Sequence, residues 1–144
     1  MKAVILAAGQ GTRIRSVHGE HPKCLIEVDN TTILDHQLDA LSMAGINDVA
    51  IVVGYEKEQI ISHVMRRKLS HKQRIHFIEN PVFAITNNVY SLWLALEWLR
   101  GVVQRAVLIE FDRFISAGKL QERLSELGKV DSIADVANFA GMNV

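Results

Sequence analysis

Residues 3–28, AVILAAGQGTRIRSVHGEHPKCLIEV, decide how the chain is read. An apolar run breaks at Ala7-Ala8-Gly9, and Arg13, Arg15 and Lys23 follow close behind. Residues 2–7 are apolar at successive positions after Lys2, as expected of a strand buried on both faces. Residues 8–23 carry three glycines and a proline and show no helical period, which predicts a long loop. Loops of that length inside a compact domain are mostly functional or disordered. In open α/β sheets ligands bind beyond the carboxyl ends of strands, where this loop begins. Gly9 and Gly11 let backbone come close to a ligand and turn N–H groups toward phosphate oxygens. Arginine's planar fork suits the same oxygens. Residue types alone leave two readings open, a phosphate cradle and a glycine turn with solvated arginines.

Outward from that loop, strands and helices alternate. Residues 24–28 predict a short strand, and Thr31 or Thr32 caps a helix that reaches Ala44 and stops at Gly45. DVAIVVGY reads as a second buried strand, 56–68 as an amphipathic helix, and RIHFIEN as a third strand stopped by Asn80-Pro81. A helix from about Val89 to Leu99 precedes the strand RAVLIEFD; a helix near 117–127 and a strand in IADVANFA close the chain. This order predicts an α/β domain with a mostly parallel sheet, a single unit over 1–144 with no repeats or linker.

The bulk numbers narrow the classes. Hydrophobic residues make up 49% of 144, enough for a packed core. Lys and Arg number 16 and Asp and Glu 16, a net charge of +0, which argues against nucleic-acid or membrane partners over a broad surface. No run approaches the ~18 apolar residues of a membrane span. The single cysteine, Cys24, forms no intrachain disulfide and fits a reducing, cytoplasmic setting. Its own expectation is a small buried hydrophobe.

Two phosphate-binding fingerprints fail. The Walker pattern G-x-x-x-x-G-K-[ST] is absent, and the dinucleotide pattern G-x-G-x-x-G meets Ile14 at its last glycine. Leu6-Ala7-Ala8-Gly9-x-Gly11-Thr12-Arg13, followed by Pro22-Lys23, instead resembles the signature of nucleotidyltransferases that activate sugar phosphates and related alcohol phosphates. The similarity runs to about Phe114. It implies a Rossmann-like three-layer α/β/α fold, truncated here relative to the full family fold. It implies that Leu6, Ala7, Ala8, Gly9, Gly11 and Thr12 line the nucleotide, and that Arg13 and Lys23 neutralise phosphate charge at the reacting centre.

The segment ENPVFAITNNVYSLWLA is similar to the choline-phosphate cytidylyltransferase-like branch, which implies that Asn88 and Ser91 lie by the nucleotide and favours CTP. From the residues alone, an asparagine before this helix is equally a cap. Trp93 and Trp98 share a helix with Leu92, Leu96 and Leu99, so core packing is expected over a cation cage. At the end of VLIEFD, the resemblance implies Asp112 as the Mg²⁺ ligand, with Glu110 behind it and Phe111 where the family places a small residue. Neither Asp131 nor Asp135 is assigned as a second ligand. The six histidines form no metal set.

The reaction implied is in-line attack of an acceptor phosphate oxygen on the α-phosphorus of a nucleoside triphosphate, releasing pyrophosphate. The partners are thus a nucleoside triphosphate and a phosphorylated small molecule, with a homo-oligomer left open. A non-catalytic nucleotide-binding module is the alternative, and a doubly wound oxidoreductase is disfavoured by the absent third glycine.

Overall fold

A computed structural model of the chain describes residues 1–12, 16, 19–68 and 72–100, together with the backbone of 106–110. Arg13, Arg15, His18, His71, Phe111, Asp112, Asp131 and Asp135 lie outside the described residues, as do the expected helix near 117–127 and the expected last strand.

Strand β1, Lys2–Ala7, has two buried faces, so each alternate residue enters a different core. Ala3, Ile5 and Ala7 join Val49, Ile51 and Val53 of β4 (Asp48–Val53) on one side of the sheet. Val4, Leu6 and Ala8 join Ala50 and Val52 on the other. The first face is covered by α1, Ile33–Met43, through Leu34, Leu38 and Leu41, and by α2, Lys57–Arg66, through Ile60 and Val64. The second face is covered by α3, Asn88–Leu99, through Ala95, Leu92, Trp98 and Leu99. The expected three-layer α/β/α architecture is therefore present.

The main sheet is parallel throughout, in the order β5-β4-β1-β6, with β5 at Arg74–Glu79 and β6 at Ala106–Glu110. Lys2 pairs with Asp48 on one side and Ala106 on the other, and Leu6 with Val52 and Glu110. The chain thus builds outward from β1 to β4 and β5, then returns to the opposite side of β1 as β6. That reversal makes the carboxyl end of β1 a topological switch point, the usual place for a ligand crevice in such sheets.

The expected short strand at 24–28 is a 3₁₀ turn, Lys23–Leu25, followed by a two-stranded hairpin of β2 (Glu27–Val28) and β3 (Thr31–Thr32). Asp29 and Asn30 carry φ of 53° and 60° between them, the left-handed pair that a tight two-residue hairpin needs. Thr32 is the α1 cap, its hydroxyl accepting from Asp35 N at 3.1 Å.

Helices α1 and α2 are pinned together by one ionic cluster. Asp35 accepts from Arg67 Nη1 at 2.9 Å and bonds His63 Nε2 at 2.9 Å, and Arg67 also reaches Asp39. Burial pushes the Asp35 carboxyl upward. The Thr32 and His63 hydrogen bonds and the charges of His63 and Arg67 outweigh it and hold the group below its ordinary 3.8.

Candidate functional site

Three strand ends line the carboxyl edge of the sheet beside the switch point, and the local sequence explains each. After β1, Ala8 is buried, whereas Gly9 is exposed and a Cβ built on it would meet nothing within 4 Å. The protein's own packing therefore does not require glycine there. What glycine provides is bare backbone facing open space, which suits close approach by a ligand. Gly11 adopts φ 60°, a conformation costly for other residues.

After β4, Gly54 is required by packing. A Cβ there would lie 2.9 Å from Ala8 O and 2.7 Å from Phe83 Cβ. This close approach lets Tyr55 N donate to Ala8 O at 3.0 Å, tying the second strand end to the first. Lys57, at the start of α2, donates to Glu79 Oε1 at the end of β5 at 2.5 Å, and that hydrogen bond raises the ammonium pKa.

After β5, Asn80 is 1% exposed and organises the connection to α3. Its backbone N–H continues the sheet to Val53 O at 2.8 Å. Its amide nitrogen donates to Ser91 Oγ at 3.0 Å and Thr86 Oγ1 at 3.1 Å, and its amide oxygen accepts from Val82 N at 3.1 Å. Thr86 in turn donates to Val82 O at 2.8 Å. Sequence reading saw Asn80-Pro81 only as a strand stop. The missed signal was an Asx turn to a residue two ahead, with hydroxyls at Thr86 and Ser91 able to take the remaining protons.

The structure brings most of the sequence-predicted residues to this one edge. Leu6, Ala7 and Ala8 end β1 as buried residues, and Thr12 is exposed beyond them. Lys23 opens the 3₁₀ turn behind the buried Pro22, partly exposed. Asn87 is the α3 cap, its Oδ1 accepting from Val89 N at 3.1 Å and Tyr90 N at 3.4 Å, and Asn88 is exposed in the first turn. Ser91 instead points inward, 3% exposed with its oxygen taken by Asn80. The backbone of Glu110 lies beside Leu6, so β6 ends at the same edge just before Asp112. Among the described residues no group of three His, Cys, Asp or Glu side chains could hold a metal ion by itself.

The tryptophans divide. Trp98 packs on the second core, with Lys2 Nζ 4.2 Å from its ring centroid. Trp93 departs from the expected core packing: it is 54% exposed and stacked on Tyr90 with centroids 5.5 Å apart. The stripe of α3 through residues 91, 92, 95, 98 and 99 meets the sheet, and position 93 lies about 200° around the helix from Ser91. Cys24 is buried as expected, 2% exposed, and burial pushes its thiol to about 12 against a small lowering from its backbone hydrogen bond. Among the described residues no helix is long and apolar enough to cross a membrane.

A parallel sheet with a glycine-bearing loop at its switch point, a 3₁₀ turn opening on Lys23 after that loop and a capped helix on one sheet face define a nucleotidyltransferase-type fold. The chain belongs to the MobA-like NTP transferase domain family, whose profile matches residues 3–131. It is 41% identical over 115 residues to a choline-phosphate cytidylyltransferase of Streptococcus pneumoniae, covering 80% of this chain and 46% of that protein. It is 35% identical over 104 residues to a CTP:phosphoglutamine cytidylyltransferase of Campylobacter jejuni, covering 72% of this chain and 39% of that one. The solved structure of CTP:phosphocholine cytidylyltransferase from Streptococcus pneumoniae superposes with a TM-score of 0.63 at 38% identity, over 77% of this chain and 44% of that one. The chain thus spans less than half the length of these relatives.

Proposed function

We propose that this chain provides the nucleotide site of a Mg²⁺-dependent, cytoplasmic nucleotidyltransferase that moves CMP from CTP to a phosphorylated small molecule and releases pyrophosphate. What supports the proposal is that the Ala8–Gly11 backbone leaves β1 at the switch point of the sheet and that Lys23 opens the 3₁₀ turn that follows the same loop. The names of the two relatives above favour cytidylyl transfer to a phosphorylated acceptor.

The acceptor phosphate is already anionic near neutral pH, so the attack needs no general base. What remains for the protein is alignment and charge neutralisation. The bare backbone at Gly9 and Gly11 approaches the nucleotide, with Leu6, Ala7, Ala8 and Thr12 shaping the floor and Asn88 beside it. Ser91 acts from beneath by fixing Asn80 and the first turn of α3. Lys23 and Arg13 meet the phosphates. Asp112 would hold Mg²⁺, which supplies further neutralisation of the leaving pyrophosphate.

The test is a panel of nucleoside triphosphates with Mg²⁺ and phosphocholine or sugar-phosphate acceptors, read by pyrophosphate release. Release with CTP, and a fall of roughly 10²–10³ in Lys23→Ala with the fold intact, is the expected result. CTP binding without release supports the second reading, a nucleotide-binding module, which Phe111 favours by replacing a small residue beside the metal ligand. Absence of triphosphate binding contradicts both.

A further inference from the structure

The loop that would bind triphosphate leaves β1 at Ala8 and returns at Pro22-Lys23, and both ends are held from the β4–α2 turn. Tyr55 N donates to Ala8 O at 3.0 Å. The phenol of the same residue donates to Glu20 O at 3.1 Å. A single residue therefore bridges the exit from the strand and the return twelve positions later. The next residue along, His21, is bonded through Nδ1 to Gln59 Oε1 at 2.9 Å. Gln59 Nε2 is bonded in turn to Glu56 Oε2 at 2.9 Å, which orients the amide so that its oxygen faces the imidazole. Gly54 permits the first of these contacts, since any Cβ there would press on Ala8 O. Tyr55 is itself fixed, half-buried with its ring edge-on to Phe83 at 6.3 Å.

Resting on the nucleotide-site reading, we propose that Tyr55 is a positioning residue, a latch assisted by Gln59 that holds the chain at Glu20 to the end of β1 at Ala8 and sets where Lys23 is presented. Tyr55 acts through the backbone at Ala8 and Glu20 and touches neither phosphate nor metal. The two amides just past the latch report on it directly: Leu25 N donates to Pro22 O at 2.9 Å and Ile26 N to Lys23 O at 3.2 Å. With the phenol removed, the loop exit samples open states, and the affinity for ligand falls by the fraction of molecules still closed. A closed fraction of about 10–30% raises Kd roughly three- to tenfold.

The experiment compares wild type, Tyr55→Phe and Gln59→Ala by amide hydrogen exchange without nucleotide, and by CTP titration in Mg²⁺. Expected in Tyr55→Phe are faster exchange at Leu25 and Ile26, unchanged exchange in the β1 and β4 strands, and a Kd raised three- to tenfold. Saturating CTP should restore slow exchange at the two amides, which a general loss of stability would not allow. Gln59→Ala should shift the same amides in the same direction by a smaller factor. Unchanged exchange at Leu25 and Ile26 overturns the latch whether or not CTP binds. Faster exchange with unaltered Kd overturns its role in presenting the site. Failure of the wild type to bind CTP, with the exchange effect present, overturns the nucleotide reading and the proposal with it.

Discussion

Asn80→Ala should destabilise the domain by more than the size of the side chain suggests. The residue is 1% exposed and its amide makes three hydrogen bonds, to Ser91 Oγ, Thr86 Oγ1 and Val82 N. Truncation leaves Thr86 its bond to Val82 O, but strips partners from the buried Ser91 hydroxyl and the Val82 N–H. Each stranded group costs about 1–3 kcal/mol, so the total should be roughly 2–4 kcal/mol once partial hydration is allowed. Urea unfolding measures this directly, as a midpoint lower by about 1–2 M if the slope is near 2 kcal/mol/M. A double-mutant cycle with Ser91→Ala sharpens the result. Removing both ends of the Asn80–Ser91 bond strands neither of them, so the double variant should be less destabilised than the sum of the singles by about 1–2 kcal/mol, with only the Val82 N–H left unpaired. A loss under about 0.5 kcal/mol for Asn80→Ala, or additivity within about 0.3 kcal/mol, would refute the claim that this network anchors α3 to β5.

Other consequences are sharp enough to measure. Gly54→Ala forces Ala8 O or Phe83 to move, and should lower both the thermal midpoint and CTP affinity, whereas Gly45→Ala, where a Cβ meets open space but φ is 75°, should lower the midpoint alone. Asp35 has its folded pKa below its ordinary 3.8, so its contribution is complete above that value and is lost as pH falls through the lower folded value. Asp35→Asn should therefore lower stability at pH 6 and flatten its decline below about pH 4 in acid titrations. Cys24, with its thiol near 12, should resist alkylation at pH 8 in the folded protein and react at once in denaturant.

The sheet was legible because β1 and β4 are apolar on both faces, a pattern that only a doubly covered parallel sheet explains. Helix ends were legible where a side chain caps locally, as at Thr32 and Asn87. The loop stands out in the sequence as a candidate site because glycines and cations sit together after the first strand. What sequence could not show are partnerships between distant residues. Tyr55 reads as a strand-end aromatic until the fold carries Glu20 to its hydroxyl, 35 residues away in the chain. Asn80 likewise becomes a buried hub only when α3 brings Ser91 beneath it. Trp93 was misread because α3 is apolar nearly all round, and composition does not say which stripe the sheet will take.

The most direct measurement is amide hydrogen exchange of the wild-type chain with and without CTP and Mg²⁺. Slowed exchange confined to residues 8–12 and 20–26, the two ends of the loop after β1, and to 80–91, the segment after β5, is the expected outcome. Slowing at the opposite end of the sheet, around Lys2, Asp48 and Arg74, or none anywhere at saturating nucleotide, would contradict it.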